Sequence, residues 1–121
     1  MSAVETSFVP LQGRVHEDEI NKHWKDHTKI VWVESPTNPT MKVVDIAHLS
    51  EIAHKKGALV VVDNTFLSPY YANPLDIGAD VVLHSVSKYI NGFSDVGIYY
   101  SVIYIDYLIT FSGYHGHPHY K

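Results

Sequence analysis

The segment Ala58-Leu-Val-Val-Val62 limits the possible folds more than any other part of the chain. It is a continuous apolar run, rich in β-branched residues, set between Gly57 and Asp63. Such a run suits a strand buried on both faces, and strands of that kind belong to parallel sheets. The residues before it supply the rest of a parallel unit. Lys29-Ile-Val-Trp-Val-Glu34 reads as a strand, stopped by Ser35-Pro-Thr-Asn-Pro39, whose two prolines block helix and ladder alike. Ile46, Leu49, Ile52 and Ala53 follow at helical spacing, predicting a helix over 46–56. Asp45 is its N-cap, Val44 and Leu49 are placed for a hydrophobic staple, and Gly57 is its stop. Glu51 is spaced to pair with Lys55. Strand, helix and strand make a βαβ unit with a right-handed crossover.

Downstream, Leu67 to Gly78 carries Pro69 and Pro74 and reads as an irregular or short helical connection. Val81 to His84 is a third strand, running straight into Ser85, Ser87 and Lys88. Gly97 to Ile105, rich in Val, Ile and Tyr, reads as a further strand. Upstream, His16 to Lys25 suits a short helix, acidic at its start and basic toward its end. Residues 1–15 show no period beyond a weak apolar patch at Phe8 to Leu11. The expected class is α/β, a mostly parallel sheet with flanking helices. Three segments are expected: 1–27 at the N-terminus, a core over 28–96, and a divergent strand and tail over 97–121.

Composition narrows the function. A net charge of −4 with interspersed signs offers no basic stripe for nucleic acid. The absence of cysteine removes disulfide scaffolds and thiol nucleophiles and fits a reducing compartment. Met1 to Pro10 lacks the features of a secretory signal, and the apolar run Val96 to Phe111 is interrupted and too short to span a bilayer. A cytoplasmic protein that avoids membranes and nucleic acid is expected. Most of the nine histidines are scattered; only His115, His117 and His119 cluster, in a segment that reads as a mobile tail, so no metal site is expected.

Connectivity brings distant polar residues together. Asn38, Asp63 and Lys88 each follow the carboxyl end of a predicted strand, and in an open parallel sheet those ends share one ligand-binding edge. Neither a GxGxxG nor a GxxxxGK[ST] loop occurs, which counts against dinucleotides and ATP. A lysine beside hydroxyl residues, with a carboxylate at the next strand end, suits pyridoxal phosphate instead. That cofactor needs an amine, an anion for its ring nitrogen and small donors for its phosphate. The plainer account is that Lys88 reaches into solvent and Asp63 caps the turn that follows it.

Residues from about Thr28 to Val96 resemble the cofactor-binding core of the Cys/Met-metabolism PLP enzymes, the transsulfuration family. The resemblance rests on Val33-Glu-Ser-Pro-Thr-Asn-Pro-Thr40, Val61-Val-Asp-Asn-Thr-Phe-Leu-Ser-Pro-Tyr70, Gly78-Ala-Asp80 and His84-Ser-Val-Ser-Lys-Tyr-Ile-Asn-Gly92, followed by Ser94-Asp95. It implies the large domain of a fold type I PLP-dependent transferase, in a homo-oligomer acting on a small amino acid. The motif wording is most similar to the branch that γ-eliminates cystathionine, ahead of those that make cystathionine or γ-eliminate methionine. The resemblance further implies that Lys88 forms the internal aldimine and moves protons, while Asp63 holds the ring nitrogen as a pyridinium. Asn38 would bond the phenolic oxygen, Ser85 and Ser87 the phosphate, and Glu34 would lie toward the substrate. Ser87 stands where the family more often has threonine, and Phe93 where it has histidine. The family's subunit is several times longer, so this chain is expected to be a truncated version. Little activity of its own is expected, along with exposed edges and apolar faces that favour aggregation.

Overall fold

The computed structural model describes residues 4–93 and the strand 99–103. Four strands form one sheet in the order β1-β2-β3-β4: β1 Ile30–Glu34, β2 Leu59–Asp63, β3 Val81–Ser85 and β4 Tyr99–Ile103. The first three are parallel, with Glu34 beside Asp63 and Asp63 beside Leu83; β4 runs antiparallel to β3. The architecture is the α/β, mostly parallel sheet that the apolar runs require.

Helix α2, Ile46–Lys55, is the main crossover. Asp45 caps it by accepting from His48 N–H at 3.0 Å, and Gly57 leaves it at φ +74°, a left-handed value that favours glycine. Glu51 does not take Lys55 as its partner: its carboxylate lies 3.9 Å from His48 Nδ1, one turn back. Leu49, Ile52 and Ala53 pack with Val33, Val60, Val62 and Val82 to form the core. The link from β2 to β3 is a four-residue helix α3, Ser68–Tyr71, and a 3-10 turn, Pro74–Ile77, that rests against α2 and β3.

Side chains alternate along each strand, so the core claims one face of the sheet. On the other face Ile30, Trp32 and Leu59 are 56, 63 and 53% exposed. The expectation that 58–62 is buried on both faces therefore holds at Val61 and fails at Leu59. Both parallel crossovers fall on the same side, because consecutive right-handed connections between adjacent strands must.

The N-terminal segment contributes more than its weak patterning suggested. Gly13 bonds Val43 and Asp45 through its main chain, which carries Val15 into the core at 1% exposure. Helix α1, Glu17–Asn21, buries Ile20 and is shorter than expected, with no basic residue in its last turn. The Lys56 ammonium lies 5.4 Å from the Trp24 ring centre, tying this segment to the end of α2. Of the expected strand over 97–105, residues 99–103 form β4; the rest of it and the histidine cluster at 115–119 lie outside the described residues.

Candidate functional site

Three loops leave the carboxyl ends of the parallel strands and meet around a cavity of about 500 Å³. It is lined by Glu34 and Asn38 after β1, Thr65 and Phe66 after β2, and Ser87 to Tyr89 with Gly92 after β3.

The first loop is closed by its own hydroxyl residues. Ser35, buried at 5% exposure, accepts from Val44 N–H at 3.0 Å. Thr37 Oγ1 accepts from Lys42 N–H at 3.0 Å and lies 2.7 Å from Thr40 Oγ1. These bonds fold 35–42 into a tight turn with Asn38 exposed at its tip, where Asn38 N–H donates to Glu34 Oε1 at 3.4 Å.

After β2 the chain turns at once. Asp63 Oδ1 accepts from Thr65 N–H at 3.0 Å, and its other oxygen has no hydrogen-bond partner among the described residues. Asp63 thus caps the following turn, as its plainer reading held, and still presents half of its carboxylate. Asn64, 1% exposed, donates from Nδ2 to the carbonyls of Ser68 and Ala72 at 3.1 and 2.9 Å, which fixes α3. After β3, Lys88 N–H donates to Ser85 O at 3.1 Å and Gly92 N–H to Lys88 O at 2.7 Å, winding 85–92 into a compact turn. Gly92 has φ +71°, and Phe66 and Tyr89 meet edge to face at 6.3 Å across the cavity.

Of the residues singled out in the sequence, Glu34, Asn38, Ser87 and Lys88 line the cavity together. Asp63 and Ser85 are not among its lining residues; they join it through Thr65, whose Oγ1 accepts from Ser85 N–H at 2.7 Å. Lys88 is exposed, so no buried ammonium needs explaining. Its Nζ makes no salt bridge to a described residue. Thr65, Phe66 and Tyr89 went unassigned in the sequence, although all three lie inside the motifs quoted above; only the folding of those motifs around one space marks them as lining. His84, in β3 next to Ser85, is 5% exposed. Burial holds its pKa below the usual histidine value, outweighing the Asp63 carboxylate and the Asn64 main chain, which pull the other way.

The donor set fits pyridoxal phosphate. One exposed amine is available to an aldehyde, hydroxyls of Thr65 and Ser87 stand near it, and Phe66 and Tyr89 provide aromatic walls. No cluster of His, Asp and Glu suited to a metal ion occurs among the described residues.

The chain is similar to known PLP-dependent enzymes. The profile of the Cys/Met metabolism PLP-dependent enzymes matches residues 2–103. Cystathionine γ-lyase of Dictyostelium discoideum is 56% identical over 89 residues, covering 74% of this chain and 22% of that protein. The solved structure of cystathionine γ-lyase from Lactobacillus plantarum superposes with a TM-score of 0.67 at 41% identity, over 71% of this chain and 23% of that one. Cystathionine γ-synthase from Xanthomonas oryzae pv. oryzae gives 0.60 at 55% identity, over 62% and 19%. The chain thus spans about a fifth of the length of the relatives it matches. Because the match extends over most of this sequence, the chain belongs to the Cys/Met-metabolism PLP-dependent enzyme family.

Proposed function

We propose that this chain carries the cofactor-binding strand ends of a PLP-dependent carbon–sulfur lyase of transsulfuration. Its reaction is γ-elimination, in which cystathionine and water give cysteine, 2-oxobutanoate and ammonia. The observation that carries the reading is the convergence of Lys88, Asn38, Glu34 and Ser87 on one cavity. The names of the relatives favour γ-elimination of cystathionine over its synthesis and over γ-elimination of methionine.

When bound, pyridoxal phosphate supplies an electron sink for the carbanion formed at the substrate Cα. Lys88 Nζ would hold it covalently and would move protons between the substrate Cα and the leaving sulfur. The Asp63 carboxylate keeps a proton on the ring nitrogen. Ser85 and Ser87 bind the phosphate, Asn38 orients the ring through its phenolic oxygen, and Glu34 lies toward the substrate. The working form is a cytoplasmic homo-oligomer.

A second reading, a chain without catalysis that binds a full-length subunit, is favoured by the exposed sheet face and by the short span of the match. Titration with pyridoxal phosphate, borohydride reduction and peptide mapping separate the two. A stoichiometric adduct at Lys88 that is lost in Lys88→Ala supports the lyase site. Scattered labelling, or none, overturns it, and co-purification with a full-length relative then supports the second reading.

A further inference from the structure

The parallel ladder between β2 and β3 ends abruptly, and its ending is peculiar. Asn64 N–H still bonds Leu83 O at 2.9 Å, as a continuing ladder requires. The next bond of such a ladder would run from Ser85 N–H to the carbonyl of Asn64. That carbonyl instead accepts from Ser68 N–H at 3.0 Å, and Ser85 O accepts from Lys88 N–H at 3.1 Å. The two strands therefore part just past Asn64, and Thr65, the next residue, lines the cavity. Ser85 N–H is left without its main-chain acceptor, and Thr65 Oγ1 takes it at 2.7 Å. The same residue's N–H is bonded to Asp63 Oδ1 at 3.0 Å.

We propose that Thr65 is a positioning residue, a latch that sets the spacing between the Asp63 carboxylate and the Lys88 turn through Ser85. Three hydrogen bonds in series run from Asp63 through Thr65 and Ser85 to Lys88. Only the middle one depends on the kind of side chain at 65. The inference rests on the reading that Asp63 and Lys88 serve one cofactor, because only then does their spacing matter.

The test compares Thr65→Val, which keeps the shape and removes the acceptor, with Thr65→Ser, which keeps the acceptor. In the cofactor-free chain, Ser85 amide hydrogen exchange rises roughly tenfold in Thr65→Val, the size expected for one lost hydrogen bond, and stays near native in Thr65→Ser. With pyridoxal phosphate added, Thr65→Val loses adduct at Lys88 and shifts the pH midpoint of the bound cofactor's absorption, and Thr65→Ser restores both. Unchanged Ser85 exchange in Thr65→Val overturns the latch, as does a Ser85 amide unprotected in the native chain, a result that needs no variant to fold. Faster exchange with native uptake and a native pH midpoint overturns the positioning role. If the native chain forms no adduct at Lys88, the lyase reading fails by itself. The latch is then judged by Ser85 exchange and by the rate of Lys88 methylation with formaldehyde and borohydride: acceleration in Thr65→Val alone supports it, and equal rates overturn it.

Discussion

Asp63 shows how one side chain serves both fold and site. Its Oδ1 is committed to the Thr65 amide, and an asparagine oxygen accepts the same bond. Asp63→Asn is therefore expected to leave unfolding stability within about 0.5 kcal/mol, while weakening retention of pyridoxal phosphate by the native-length chain. Urea denaturation and cofactor titration check the two halves separately. His84, which feels the Asp63 carboxylate, makes a pH prediction. Its folded pKa lies below the unfolded value of 6.5, so as acid is added the unfolded chain takes the proton first. Its contribution is neutral well above that pH, and stability falls as pH drops from about 6.5 toward the depressed folded value. His84→Gln should flatten this part of the decline when urea midpoints are compared from about pH 8 to about pH 5. At this scale the sequence was readable where a residue's place follows from its position after a strand, as with Asn38 and Lys88 at the cavity and Asp63 in its turn. Thr65 was not readable, because its role depends on an acceptor vacancy at Ser85, twenty residues away.

Between elements, the strongest joint is Asp80. Its Oδ2 accepts from Val60 N–H at 2.6 Å and lies 2.9 Å from His54 Nε2, while its own N–H donates to Val60 O at 2.9 Å. One residue thus binds the start of β2, the approach to β3 and the end of α2. Asp80→Ala leaves the amide of the fully buried Val60 without an acceptor and is expected to cost about 2 kcal/mol in chemical denaturation. Gly78, two residues earlier, has φ +106°, and an added Cβ would meet Ser50 Cβ of α2 at 2.9 Å. Gly78→Ala is expected to cost at least about 2 kcal/mol, and Ser50→Gly in the same chain should recover only the steric part, since the backbone strain remains. The Gly-Ala-Asp triplet was visible in the sequence as a family motif, yet its reason was not. Helix α2 was legible in its cap, spacing and stop, which are all local, though not in the partner of Glu51, and the joints that seat it reach across more than twenty residues.

For the whole molecule the decisive fact is that the second face of the sheet is open at Ile30, Trp32 and Leu59. Trp32, Ile30 and Leu59 form an open apolar face at the strand starts, and β1 is an edge. The chain is expected to self-associate as its concentration rises, and Trp32→Lys should shift sedimentation and light scattering toward monomer without reducing thermal stability. The apolar runs gave the parallel order and the shared carboxyl edge, because those follow from chain connectivity. They could not show which part of the second face stays open, because a run such as Leu59 to Val62 looks the same whether or not that face is occupied. The first loop holds a last consequence. Residues 35–42 are closed by Ser35, Thr37 and Thr40 through bonds confined to that loop and its junction with α2. This rim of the cavity is therefore a replaceable module. What the cavity admits can be altered by substitutions within one short segment, while the hydrogen bonds around Asp63 and Lys88 stay as they are.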